Sequence, residues 1–210
     1  SIPEPYMVLF EFLLAPVLWE RPGNIKPLVR LLQAYITRGP QQIVATNKIN
    51  ALLGIFQKLI ASKSNDHEGF YLLQSMIEHV PFDAMNNYVK GIFSVLFTRL
   101  TSSKTTKFVK GFLVFFFLYI TKFGGSSFIE IIDGIQPNLF AMVCDRLIIL
   151  EVQKVTGTTE KKICAVGMIK LLTETPAMIT GNYAQYWPPV MTALVGLFEL
   201  PVDDTVPDDE

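Results

Sequence analysis

His67 and His79 are the only histidines in the sequence, and Cys144 and Cys164 the only cysteines. Two imidazoles on one helix turn could share a zinc ion. These two lie twelve residues apart on a single predicted helix, which separates them by about 18 Å. Each cysteine sits in an apolar run, AMVCDRL and KKICAVG, with no histidine near it in sequence. That context predicts buried, reduced thiols rather than nucleophiles. Gly124-Gly125-Ser126-Ser127 has the composition of a phosphate loop, but it follows a helical pattern and lacks the Gly-Lys-Ser/Thr ending. It reads as a helix stop followed by a helix cap. No Gly-x-Ser-x-Gly occurs. Glu78 and Asp83 would serve as general bases only with partners that the sequence does not supply. The expectation is a protein that is not an enzyme and uses no cofactor and no metal.

The elements that carry these residues are helical throughout. Ile25, Leu28, Val29, Leu32, Tyr35 and Ile36 repeat at helical spacing until Gly39-Pro40. A second helix is predicted over 41–61. Asn65 and Glu68 have capping-box spacing and open a third, which ends before Pro81. Pro81 begins a fourth, carrying Met85 to Leu100. A phenylalanine-rich helix spans about 105–122. Ser127 and Glu130 then suggest a cap for a short helix near 128–132. Pro137 opens a helix to about Lys154, another covers 160–175, and the last runs over 182–200 with Pro188-Pro189 kinking it or delaying its start. No alternating run flanked by hairpin turns predicts a strand.

Paired in order, these helices begin new units near residues 25, 66, 104 and 157. That period fits HEAT and armadillo repeats of about 40–47 residues. The predicted fold class is therefore all-α, an α–α superhelix (a HEAT- or armadillo-like solenoid) over residues 1–200. Half of the 210 residues are hydrophobic and only 18% are charged, and mean hydropathy is positive. Helices covered on several sides by neighbouring repeats account for that balance. The phenylalanine-rich helix holds eleven uncharged residues between Lys110 and Lys122. A bilayer span needs about 20, so a core position is predicted, with Lys107, Lys110 and Lys122 reaching water.

Residues 201–210 hold Asp203, Asp204, Asp208, Asp209 and Glu210 and are expected to form an acidic, mobile tail. No dense Lys/Arg stripe exists, which argues against nucleic acid as a partner. The chain begins at Ser1 without methionine, as a piece of a longer protein would.

Solenoids bind through the inner face made by the second helix of each pair. Polar residues off the core side of those helices are the candidate partner contacts: Asn47, Asn50 and Gln57; Asn86, Asn87, Lys90 and Arg99; Asp145, Arg146 and Gln153. Their mixed charge suits a protein partner.

Three long stretches carry a resemblance: GPQQIVATNKINALLGIFQKLIASKSNDHEGFYLLQSMIEH (39–79), MNNYVKGIFSVLFTRLTSSKTTKFVKGFLVFFFLYITKFGG (85–125) and QPNLFAMVCDRLIILEVQKV (136–155). The chain resembles the C-terminal region of a nuclear export receptor of the importin-β (karyopherin) family along nearly its whole length. The resemblance implies a HEAT superhelix that carries importin-α from nucleus to cytoplasm with RanGTP and shuttles between the two compartments. It also implies that this chain is a C-terminal arch fragment without the family's N-terminal Ran-binding repeats. Two alternatives remain at this point. One is a generic HEAT-repeat scaffold without a Ran cycle; the other is a peripheral membrane protein docking through exposed phenylalanines.

Overall fold

The computed structural model describes residues 1–199, and the acidic segment 201–210 lies outside them. Among the described residues every regular element is helical. The chain divides into two compact units, Ser1–Val95 and Leu96–Glu210.

The first unit begins with α1 (Glu4–Leu13), which the helical period starting at Ile25 passed over, and a 3₁₀ turn at Pro16–Glu20. α2 (Pro22–Arg38) buries Ile25, Val29, Leu32, Tyr35 and Ile36 of the stripe read from the sequence, and leaves Leu28 of that stripe half-buried at its edge. The single helix predicted over 41–61 is two, α3 (Pro40–Ala45) and α4 (Ile49–Ile60). They part at Asn47, whose φ of 56° is left-handed, a conformation asparagine tolerates better than most residues. The Lys48 N–H donates to the Ile43 carbonyl at 3.0 Å, which closes α3 as a Schellman turn closes a helix. α5 (Asp66–His79) lies against both α2 and α4. Asn65 precedes α5 as predicted, but its side chain makes no cap; its amide donates to Ser62 Oγ instead.

α6 (Phe82–Ser102) follows. In the second unit α7 (Thr106–Phe123) is the phenylalanine-rich helix. Thr105 Oγ1 accepts from the Phe108 N–H at 3.1 Å and starts it. Gly124, at φ 91°, ends it, a geometry that glycine adopts without strain. α8 (Gly125–Ile135) starts directly there, so Ser127 lies inside that helix rather than capping it. α9 (Leu139–Met142) leads into a π-helical turn, Val143–Ile148, then α10 (Ile149–Glu151) and a 3₁₀ turn, Val152–Lys154. α11 (Thr158–Glu174) packs along α7 and touches α13 (Trp187–Glu199), with the short α12 (Pro176–Ile179) between them in sequence. Pro188 and Pro189 fall in the first turn of α13, so the prolines delay the helix instead of bending it.

The core of the second unit is an aromatic ladder. Ring centroids run from Phe97 to Phe112 (5.1 Å), Phe116 (4.1 Å), Phe128 (5.1 Å), Phe140 (6.1 Å), Tyr183 (4.9 Å) and Tyr186 (6.3 Å). Several of these pairs meet edge to face, which favours the π quadrupoles. Lys122 reaches solvent, but Lys110 does not: at 9% exposure it is buried with the rest of α7, because a long aliphatic stem can pack among apolar neighbours. No helix among the described residues is long and apolar enough to cross a membrane.

Candidate partner-binding surface

The second helices present three polar patches. Asn50 and Gln57 are exposed on α4, one seven-residue repeat apart and so on one face, with exposed Asn47 at the turn before them. Asn86, Asn87 and Lys90 are exposed along α6. The third patch, residues 139–154, is the most elaborate. Leu139, Phe140, Val143, Cys144, Leu147, Ile148 and Val152 face inward. A π turn widens the helix by one residue per hydrogen-bonded ring and shifts its phase, and such turns recur at functional sites. Here it leaves Asp145 and Arg146 side by side in solvent and turns Leu150 outward, 62% exposed.

Two hydrogen-bonded knots hold this patch. Asp133, on α8, accepts from the Phe140 N–H at 3.0 Å and from the Tyr183 hydroxyl at 2.5 Å. Burial first, then that bond and the charge of Asp133, push the Tyr183 phenol well above its ordinary pKa. The Tyr186 hydroxyl donates to Asp145 Oδ2 at 3.1 Å. At the far end, Glu151 lies 2.8 Å from Lys154 Nζ and 3.4 Å from Lys104 Nζ. Burial alone would raise the Glu151 carboxyl, but the two lysines, Lys154 foremost, hold it below the usual range.

Two predicted contacts are not open surface. Arg99 is 6% exposed. Its guanidinium lies 4.7 Å from the Phe108 ring centroid and donates to the Ser103 carbonyl, closing the end of α6. Gln153 is half-buried against α13, where a Cβ on Gly196 would come within 2.6 Å of its Nε2. Sequence reading also passed over Leu150, Lys104, Lys154 and Tyr186. Leu150 belongs to the apolar run LIIL and reads as core until the π turn is known.

The residues considered for chemistry are dispersed. His67 and His79 each pair with the glutamate beside them, at 3.5 and 3.8 Å. Burial pushes the Cys164 thiol up to about 12, with Glu160 adding to it, and burial raises Cys144 further, helped by Asp145 and Asp133. Both stay protonated at neutral pH and neither is an activated nucleophile.

A family model described as "CAS/CSE protein, C-terminus" matches residues 1–210. The chain is 61% identical to Exportin-2 of Danio rerio and 59% identical to Exportin-2 of Homo sapiens. Both alignments cover 100% of this chain and 22% of the relative, so the chain spans about a fifth of their length. Among solved structures it is similar to the exportin Cse1 in its cargo-free, cytoplasmic state, at a TM-score of 0.81 and 31% identity over 94% of this chain and 21% of that one. The fold class is all-α, made of HEAT-type helix pairs.

Proposed function

This chain belongs to the CAS/CSE protein family, and from that premise we propose that it is the C-terminal part of a nuclear export receptor. Its cargo is importin-α, which it returns from nucleus to cytoplasm in complex with RanGTP while itself shuttling between the compartments. The observation that carries this reading is the identity of 59–61% to Exportin-2 over the whole chain. The solvent-facing polar groups of the second helices support it: Asn47, Asn50 and Gln57, Asn86, Asn87 and Lys90, and Asp145 with Arg146 are available to a protein surface. No catalytic step is part of the reading.

The mechanism follows from how helix pairs stack. α2 lies beside α5, and α7 beside α11, each first helix leaning on the next. In such arrays a small rotation at each seam accumulates along the chain. A cargo and a GTPase that favour the same curvature strengthen each other's binding, and linkage makes the gain reciprocal. This chain holds part of the cargo surface, and the Ran-responsive part belongs to the rest of the receptor. Titrating importin-α into this chain and into the intact receptor, with and without RanGTP, tests the reading. The intact receptor should gain about tenfold or more in affinity on adding RanGTP, and this chain should not. A Ran-dependent gain by this chain alone would overturn the division of labour. An intact receptor that ignores importin-α would leave only a generic helical scaffold.

A further inference from the structure

We propose that the seam between α2 and α5 is a sliding joint: as α2 shifts along α5, the Arg30 guanidinium leaves Gln33 and closes on Glu68. The change of curvature that a partner selects is taken up at this seam and not where α7 meets α11. That second clause rests on the receptor reading, because a partner supplies the drive. The joint itself stands on the geometry of the first unit.

Three side chains bridge α2 and α5. Gln33 Nε2 donates to the Tyr71 carbonyl at 3.3 Å and to Ser75 Oγ at 3.0 Å. Arg30 Nη1 donates to Gln33 Oε1 at 2.8 Å, and its guanidinium lies 4.9 Å from the Tyr71 ring centroid. The same Nη1 stands 3.6 Å from Glu68 Oε2, about 0.4 Å past the upper end of an ordinary N–H···O bond. Glu68 is 3% exposed, and its Oε2 accepts no hydrogen bond among the described residues. A charged donor is what a buried carboxylate oxygen favours most, and here that donor is held just out of reach by Gln33.

The two helices run in parallel register, with Arg30 beside Glu68 and Tyr71 and Gln33 beside Tyr71 and Ser75. A shift of α2 toward the N-terminus of α5 closes Arg30 on Glu68 and draws Gln33 away from Ser75. The reverse shift restores the Gln33 bonds and opens the ion pair. Each position satisfies a polar group that the other leaves wanting, which is the condition for two discrete states. The seam of α7 with α11 offers no such exchange. A Cβ on Gly167 would lie 2.5 Å from the Phe117 Cβ and 2.7 Å from its backbone, and Lys170 Nζ donates to the Thr121 carbonyl at 3.1 Å. Close-packed backbones cannot slide without overlap. α5 is also seated closely on α4, where a Cβ on Gly69 would lie 3.1 Å from Ile60 and 3.2 Å from Leu59. α2 is therefore the element that moves.

Nitroxide pairs and electron–electron resonance distances test the joint. Lys26→Cys with Glu78→Cys reads α2 against α5, and Lys122→Cys with Thr159→Cys reads α7 against α11; all four positions are exposed. Cys144 and Cys164 are buried and take no label. In this chain alone, Gln33→Leu should lengthen the Lys26–Glu78 distance by about 1–2 Å, the size of an ordinary helix shift. Glu68→Gln should shorten it and narrow its spread. Ser75→Ala removes one acceptor on α5 without touching a charge, and should lengthen it by less than Gln33→Leu does. The Lys122–Thr159 distance should stay fixed in all three. Gln33→Leu and Ser75→Ala chains with an unchanged Lys26–Glu78 distance overturn the joint, as do variants that move both pairs equally. In the intact receptor, importin-α with RanGTP should move the first pair more than the second, and the opposite order overturns the placement. A receptor that ignores importin-α removes the receptor reading, while the distances in this chain alone still decide the joint.

Discussion

α7 and α1 are both apolar round most of their circumference, yet one is enclosed and the other is half bare. In α7, from Phe108 to Ile120 only Gly111 escapes full burial. In α1, EPYMVLFEFL, the polar residues are Glu4 and Glu11 alone, but only Met7, Phe10 and Leu13 are buried. Val8 and Leu9 are exposed, and Phe12 is 65% exposed. α1 is held on one side by the Phe10–Tyr35 ring contact at 4.8 Å, the Tyr35 hydroxyl bond to the Tyr6 carbonyl at 2.8 Å, and the Glu11–Lys48 pair at 2.9 Å. Open grooves of about 410 and 340 Å³ flank it. Composition sets how much cover a helix needs; neighbouring helices decide how much it receives. A helix that is apolar all round is the kind normally found buried.

The enclosed side of this comparison should be the fragile one. Phe116 is completely buried, with Phe112, Phe128 and Phe97 rings at 4.1, 5.1 and 6.1 Å. Phe116→Ala should cost about 3–5 kcal/mol, since a cavity in a ladder of rigid rings cannot collapse. Urea melts followed by far-UV circular dichroism measure the loss. A cost below about 1 kcal/mol would mean that α7 is not the keystone its burial implies.

Gly167 gives a smaller and more directional test. A Cβ placed there would lie 2.5 Å from the Phe117 Cβ and 2.7 Å from the Phe117 backbone, so the close approach of α11 to α7 needs a residue without one. Alanine is the better helix former by about 1 kcal/mol in an open position, yet Gly167→Ala should destabilise by about 1–3 kcal/mol because two helix backbones must part. Gly54, which has open space around it, is the control. Gly54→Ala should stabilise slightly, and the opposite signs of the two variants are the result to look for.

Periodicity shows a residue's surroundings only where one side of a helix differs from the other. α2 carries an apolar stripe, and its buried residues are readable from it, with Leu28 alone lying at the stripe's half-buried edge. The predicted start of α11 near Glu160 and its end near Thr175 fall close to Thr158–Glu174. α1 has no contrast between faces, so no period marked it. Asn47 hides a helix break because asparagine is also acceptable inside a polar helix face. The surface residues Asn50, Gln57, Asn86, Asn87 and Lys90 are polar and outward, as their spacing suggested. Arg99 carries the same polarity but turns inward to the Phe108 ring, a partner six residues beyond the end of its own helix. Leu150 makes the reverse move, and the π turn that causes it leaves no mark in the run LIIL. Local chemistry is legible in a sequence; the phase of an irregular helix depends on contacts that are distant along the chain.

The bare side yields the smallest effect, and for that reason the sharpest contrast. Phe12 and Phe116 are the same residue type on helices of similar apolarity. In this chain Phe12→Ser should change stability by no more than about 0.5 kcal/mol, as substitutions away from packed features do. It removes apolar surface that folding has not taken out of water, so the transfer term that dominates Phe116→Ala is absent. The same urea melts measure both variants. A loss near that of Phe116→Ala would show α1 covered in solution, and the comparison would then rest on sequence alone. An unchanged midpoint keeps the difference in which helices lie next to each other.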